Sequence, residues 1–351
     1  TPLTPENNFL TPLTPENNSL NSWKIKIPLM ELTEFLAEWH NDNDRILVHT
    51  SGSTGKPKPM MVEKKRMLNS ARITCDFLGL KPGDTALLCM SLDYIAGKMM
   101  VVRSLQRGLQ LTCINPSSHP LADETLPSFT FAAMVPMQVY NTLKVPEERE
   151  RLMRIRHLII GGGAISDELA QMIKPLPNAV WSTYGMTETL SHIALRRLNG
   201  PDASLWYTPF DGVEVSLNAE GCLVIDAPEV CAEPLATHDI AELSTYARTG
   251  KTLFRIKGRK DNVICSGGIK IQIEEVEEAL RPYLSEPFMI VKKQDAMLGE
   301  MAVLLTEGEN LTLVEEKCRN TLPPYWVPRM FLHIDALPLT ETGKPKRSGA
   351  F

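Results

Sequence analysis

RILVHTSGSTGKPKPM, residues 45–60, sets a short β-branched and apolar run against a loop of small, hydroxylated and glycine residues. Arg45–His49 reads as a strand, and a helix is expected over Lys64–Leu78. Between them, Thr50, Ser51, Gly52, Ser53, Thr54, Gly55 and Lys56 offer backbone N–H groups, hydroxyls and one ammonium. That set suits a phosphate clamp, and it suits a flexible turn equally well. It is not a Walker A loop. That pattern needs Gly where Thr50 stands and Ser or Thr where Pro57 stands, and Pro57 has no N–H to give. Gly161-Gly162-Gly163-Ala164 is not a dinucleotide fingerprint either, because its third glycine position holds Ser166.

Outward from this loop the chain alternates. Leu29, Leu32, Phe35, Leu36 and Trp39 share one helical face. Strands are expected at Thr85–Met90, Leu109–Ile114, Phe131–Val135, Ile155–Ile160 and Val180–Thr183, and helices at Ile95–Arg107 and Ser166–Ile173. Ser166 reads as an N-cap, with Asp167 and Glu168 in the first turn. Such alternation predicts an α/β fold with a doubly wound, mostly parallel sheet. The texture then changes. Val213–Leu217 and Cys222–Ile225 flank Asn-Ala-Glu-Gly as a hairpin in a β-rich part. After Gly258-Arg259-Lys260-Asp261 come a strand, a Gly-Gly turn, a helix at Ile273–Leu280 and a small mixed α+β region. The expected organisation is an arm over residues 1–27, a large domain over 28–260 and a small C-terminal domain over 261–351. TPLTPENN stands twice, at 1–8 and 11–18. Two copies are too few for a solenoid, and the arm reads as a loose segment.

The 351 residues are enough for two domains with cores, at 43% hydrophobic and 23% charged. The net charge of −5 gives no basic surplus for nucleic acid, and no 18-residue apolar run suggests membrane insertion. Seven scattered cysteines, none in C-x-x-C, point to reduced thiols in a cytoplasmic protein. His238 with Cys231 lacks the second pair a metal site needs. Glu274, Glu275, Glu277 and Glu278 read as the solvated start of a helix.

Further motifs follow the opening loop in order: Tyr184-Gly185-Met186-Thr187-Glu188-Thr189, Thr237-His238-Asp239, Gly258-Arg259-Lys260-Asp261, Ser266-Gly267-Gly268, and Pro338-Leu-Thr-Glu-Thr-Gly-Lys-Pro-Lys-Arg347. Together they resemble the adenylate-forming superfamily of acyl-CoA synthetases, luciferases and peptide-synthetase adenylation domains. The resemblance covers nearly the whole chain from about residue 45. It implies that ATP activates a carboxylate as an acyl-adenylate and that CoA then displaces AMP. It assigns Thr50 to Lys56 to the β- and γ-phosphates, Thr187 to the α-phosphate and Glu188 to Mg²⁺. Tyr184, Gly185, Gly161, Gly162 and Gly163 go to the adenine, and Asp239 with Arg259 to the ribose. It makes Lys344 the catalytic cation, Asp261 a hinge, and Ser266, Gly267 and Gly268 part of a tunnel for CoA in a mobile C-terminal domain. Taken alone, Lys344 would be a solvated lysine and Asp239 a turn residue.

Leu92-Asp93-Tyr94-Ile95-Ala96-Gly97-Lys98 and the extension Leu190-Ser191-His192-Ile193-Ala194 resemble the o-succinylbenzoate–CoA ligases of menaquinone biosynthesis. On that resemblance Tyr94 packs on the aromatic ring, and Lys98, Ser191 or His192 receives the second carboxylate. The chain departs from the pattern in three ways. Only 49 residues precede Thr50, Pro59 stands where Gly is common, and His238 replaces a Gly. Aryl- or fatty-acyl-CoA ligation, a peptide-synthetase module and a non-catalytic nucleotide-binding scaffold remain the rivals. Self-association stays open.

Overall fold

The computed structural model describes residues 23–26, 29–49, 59–163, 165–246, 250–266, 268–339 and 345–347. These form two compact units, one up to Ser204 and one from Leu205. The break expected between residues 260 and 261 lies inside the second unit. The repeated arm lies outside the described residues.

The first unit contains β1 (Lys24–Lys26), α1 (Leu29–His40), β2 (Arg45–His49), β3 (Pro59–Glu63), α2 (Lys64–Leu78), β4 (Thr85–Leu88), α3 (Ile95–Arg107), β5 (Gln110–Ile114), β6 (Phe131–Met134), α4 (Pro136–Lys144), α5 (Pro146–Met153), β7 (His157–Ile160), α6 (Asp167–Ile173), β8 (Ala179–Gly185) and β9 (His192–Arg197). Its main sheet runs β1-β5-β4-β6-β7-β8-β9. Each neighbouring pair is parallel until the last, where β8 and β9 are antiparallel. β2 and β3 form a separate antiparallel pair.

α2 shows why this sequence takes this form. Met67, Ala71, Thr74, Cys75 and Leu78 are buried at helical spacing. Gly79, at φ 64°, ends the helix, and Leu80 N donates to Cys75 O at 2.9 Å. α2 packs against α3. On the sheet, Leu87, Ala132, Met134, Leu158, Ile160 and Val180 join Val139, Leu143, Leu152, Leu169 and Ile173 of α4, α5 and α6 in one core. Each fully buried large apolar side chain there is worth about 1.5–3 kcal/mol. Ser166 caps α6 as expected, accepting from Leu169 N at 3.2 Å.

The second unit holds β10 (Thr208–Pro209), β11 (Glu214–Leu217), β12 (Cys222–Asp226), β13 (Leu235–Thr245), β14 (Thr252–Arg259), β15 (Val263–Ser266), β16 (Ile269–Gln272), α7 (Ile273–Leu280), β17 (Phe288–Asp295), β18 (Gly299–Thr306), α8 (Leu311–Thr321) and β19 (Met330–His333). β11 to β14 form an antiparallel sheet with the expected hairpin. A second sheet runs β16-β15-β18-β17, with β19 parallel to β18. Its core sets Ile264, Ile290 and Leu304 against Val276, Leu280 and Cys318 of α7 and α8. The fold class is therefore α/β, with a mostly parallel main sheet, a β-rich part and a small α+β region.

One expectation needs correction. The acidic run on α7 is solvated only in part: Glu278 is exposed and Glu274 and Glu275 are half-buried, whereas Glu277 turns inward. Glu277 is buried, and Arg347 donates to both of its carboxylate oxygens at 2.7 and 2.9 Å. Asn262 Nδ2 donates to Glu274 at 2.5 Å, and Lys257 pairs with Glu275 at 3.7 Å.

Candidate active site

In an open parallel sheet, ligands bind beyond the carboxyl ends of the strands where the order reverses. Here the order reverses between β4 and β6, because β5 lies on one side of β4 and β6 on the other. Three expected groups leave this one edge: Leu92 to Lys98 after β4, Gly161 to Gly163 after β7, and Tyr184 to His192 at the end of β8. Gly161 N donates to Met134 O at 3.1 Å, tying the glycine turn to β6. A Cβ on Gly161 would stand 2.5 Å from Thr183 Oγ1, so the turn sits flat on β8.

Tyr184 and Gly185 belong to β8 itself, which runs two residues beyond its expected end. Gly185 pairs with His192 of β9, and a Cβ there would come within 2.7 Å of the Ser191 carbonyl carbon. Only glycine permits that approach. The intervening turn is held by Thr189, whose Oγ1 accepts from Met186 N at 3.0 Å and lies 2.6 Å from Ser191 O. Leu190 sits at φ 64° while buried. Such backbone strain in a non-glycine residue is sustained only by a rigid surround. Thr187 is buried and Glu188 exposed in this turn.

Ser191 and His192 lie in a polar chain that sequence reasoning missed. Arg103 Nη2 donates to Ser191 Oγ at 2.6 Å. Ser191 Oγ is 3.1 Å from His192 Nδ1, and His192 Nε2 is 3.1 Å from Thr74 Oγ1. Thr74 donates to Ser70 O at 3.0 Å. Thr74 must therefore accept from His192, which fixes the Nε2–H tautomer and leaves Nδ1 to accept from Ser191. Burial, and secondarily the Arg103 charge, pushes His192 well below the usual histidine pKa, so it is neutral. Arg103 is 2% exposed. Burial lowers its pKa to about 10, which still leaves it charged at neutral pH. Among the described residues its Nε has no hydrogen-bond partner and no carboxylate pairs with it. The one signal in the sequence was an arginine directly after the apolar run Met99-Met100-Val101-Val102.

Tyr94 is the N-cap residue of α3 and half-buried. Lys98 lies elsewhere. Its Nζ donates to Leu47 O at 3.4 Å and stands 5.3 Å from the centre of the Phe35 ring. It stands five positions before Arg103, so the two leave α3 on different faces. Lys98 also lines a small cavity of about 160 Å³ with Glu31, Glu34, Phe35, Glu38, Leu92 and Asp93.

In the second unit, Asp239 on β13 stands opposite Arg259 on β14. Arg259 Nη1 donates to Asp239 Oδ1 at 3.4 Å, and its Nη2 donates to Asp261 Oδ2 at 2.9 Å. His238 Nδ1 is 3.1 Å from the same Asp261 oxygen. Partial burial would raise the Asp261 pKa, but the hydrogen bonds from Arg259 and His238 outweigh it and bring it below the usual value. Ser266 ends β15 and Gly268, at φ 84°, precedes β16. Thr50 to Lys56, Gly267 and Lys344 lie outside the described residues; the flanks of the opening loop are joined, since His49 pairs with Pro59.

Among the described residues no three His, Cys, Asp or Glu side chains gather as a metal site. Glu188 alone could hold a Mg²⁺ whose other ligands were phosphate oxygens and water, the usual arrangement for that ion. All seven cysteines are free, and six are buried. No helix among the described residues is long and apolar enough to cross a membrane.

The AMP-binding enzyme family matches residues 10–226, more than half of the 351 residues. The chain belongs to the AMP-binding enzyme family. This AMP-binding enzyme is 32% identical to an acyl-CoA synthetase (AMP-forming)/AMP-acid ligase II-like protein from Dyadobacter fermentans. That match covers 95% of this chain and 93% of the other, with a TM-score of 0.62. It is 26% identical to a 2-succinylbenzoate–CoA ligase from Bacillus mycoides, covering 85% of this chain and 68% of that protein. The o-succinylbenzoate CoA synthetase of Bacillus subtilis, solved with its acyl-adenylate intermediate, shares the fold at a TM-score of 0.70 and 22% identity, over 86% of this chain and 68% of that one.

Proposed function

We propose that the protein is an ATP-dependent acid–CoA ligase whose acid is o-succinylbenzoate, serving menaquinone biosynthesis in the cytoplasm. A carboxylate oxygen of the acid attacks the α-phosphorus of ATP and pyrophosphate leaves. The CoA thiol, losing its proton, then attacks the acyl carbon and AMP leaves. The first step brings anions together, so positioning and charge neutralisation dominate it. Thr50 to Lys56 hold the β- and γ-phosphates, Thr187 the α-phosphate and Asp239 with Arg259 the ribose, while Tyr184 and Gly161 to Gly163 receive the base. Lys344 supplies positive charge where the carboxylate meets the α-phosphate. Mg²⁺, brought with ATP and held by Glu188, would neutralise phosphate charge. Residues 261–351 turn about Asp261 between the two steps, and Ser266, Gly267 and Gly268 then flank the CoA arm.

The observation that carries the choice of acid is Arg103. A buried guanidinium without a carboxylate partner is costly unless an anion joins it. An acid with two carboxylates can be activated at one and held by Arg103 at the other, with Ser191 beside it. Lys98, on a different face of α3, is a weaker candidate for that role, and neutral His192 acts through Ser191. Tyr94 would then lie against the ring.

A second reading keeps the chemistry and changes the acid. It is favoured by the Dyadobacter relative, which is higher in sequence identity and more completely covered than the Bacillus mycoides succinylbenzoate ligase and carries no named acid. CoA thioester formation with ATP and Mg²⁺ across o-succinylbenzoate, benzoate, succinate and a medium-chain fatty acid separates the two. Preference for o-succinylbenzoate supports the first reading, and turnover of another acid alone moves the protein to the second.

A further inference from the structure

Arg347 lies three residues beyond Lys344 and makes three hydrogen bonds through its guanidinium. Its Nη1 donates to Glu277 Oε1 at 2.7 Å and to Ile290 O at 2.6 Å, and its Nη2 donates to Glu277 Oε2 at 2.9 Å. Ile290 N also donates to Glu277 Oε1, at 2.7 Å. Both side chains are largely buried, at 17% and 11% exposure. A bidentate, charge-assisted pair in such a place fixes geometry as well as adding energy. The backbone nearby is tied as well. Leu339 and Pro345 form a β-bridge, and Lys346 N donates to Pro338 O at 2.8 Å. The segment Pro345–Arg347 is therefore joined to Pro338–Leu339 and, through Arg347, anchored to α7 and β17.

We propose that Arg347 and Glu277 are positioning residues for Lys344: their ion pair anchors the flank from which that lysine acts in acyl-adenylate formation. The inference rests on the adenylating reading of the site. Every partner in the anchor, Glu277, Ile290, Pro338 and Leu339, lies C-terminal to Asp261. The anchor would thus travel intact with that region and serve only the step in which Lys344 takes part. Neither residue touches a reacting atom, so the two half-reactions should respond differently.

The test uses the full chain as wild type, Arg347→Met, Arg347→Lys and Glu277→Gln. Acid-dependent exchange of pyrophosphate into ATP reads adenylation. Thioester formation from supplied o-succinylbenzoyl-adenylate and CoA reads the second step. Hydrogen exchange at the Lys346 amide reads the anchor directly. Arg347→Met should lower kcat for exchange by about 100-fold, the scale of a 1 Å misplacement, with KM for ATP and the second step unchanged and Lys346 protection lost. Arg347→Lys should restore part of the exchange rate. Glu277→Gln, which keeps an acceptor for Ile290 N, serves where Arg347→Met fails to fold. Equal loss in both half-reactions, or unchanged exchange kinetics, would overturn the proposal. A wild-type chain that exchanges pyrophosphate with none of the acids would remove the ligase reading instead. Retained Lys346 protection in Arg347→Met would then by itself overturn the anchor.

Discussion

Arg103 Nη2 reaches Ser191 Oγ at 2.6 Å across 88 positions of sequence, joining α3 to the start of β9. The contact places a fixed positive charge beside the turn that carries Thr187 and Glu188. Replacing Arg103 with Met should raise KM for o-succinylbenzoate by about 10- to 100-fold, the range of a hydrogen bond to a charged group. KM for ATP should stay as it is, and benzoate should gain relative to o-succinylbenzoate. Arg103→Lys should recover little, since an ammonium lacks the forked geometry. Steady-state kinetics on both acids checks this, and an unchanged preference would return Arg103 to a purely structural role.

His192 makes stability depend on pH in a defined direction. Burial holds its folded pKa well below 6.5, while the unfolded chain titrates near 6.5. Above that value both states are neutral and the contribution is complete. As pH falls below it, the unfolded state gains a proton that the folded state refuses, and stability drops by at most about 1.4 kcal/mol per pH unit from this group. Urea midpoints for wild type and His192→Asn, taken between pH 7.5 and 5, should therefore converge as pH falls. Parallel curves would contradict the neutral assignment.

Gly185→Ala drives a methyl into the backbone of Ser191 and His192. Overpacking of that kind costs about 1–3 kcal/mol, and thermal unfolding should show it as a lower Tm. Gly79→Ala is the comparison, because nothing lies within 4 Å of its Cβ position and only the φ of 64° opposes it. A smaller loss at Gly185 than at Gly79 would mean that the β8–β9 connection relaxes freely.

Lys344→Ala and Gly268→Val should separate the two steps. The first should abolish acyl-adenylate formation and spare thioester formation from supplied acyl-adenylate. The second, at φ 84° with open space around it, should do the reverse. Rapid-quench measurement of each half-reaction decides, and equal loss of both steps in either variant would remove that residue from its assigned role.

What the sequence made legible was local. α2 and α3 match their expected spans to the residue, because each has a clean apolar face and a glycine just past its end. The cap at Ser166 and the hairpin at Asn218 are likewise encoded within a few residues. α4 and α5 were not seen. Each begins at a proline, Pro136 and Pro146, and α5 is almost wholly polar outside Leu152 and Met153. β9 escaped because its partner β8 was expected to end at Thr183. The site divided the same way. Motif residues were found by their order along the chain. Arg103, Thr74 and the Glu277–Arg347 pair were not, since their meaning depends on partners 70 to 118 positions away.

The central claim is that this chain adenylates o-succinylbenzoate. It is tested most directly by exchange of labelled pyrophosphate into ATP, measured with Mg²⁺ and with each acid in turn, for wild type and Lys344→Ala. The account predicts rapid exchange only with o-succinylbenzoate, abolished in Lys344→Ala. Exchange that ignores the acid supplied, or that survives the loss of Lys344, would contradict it.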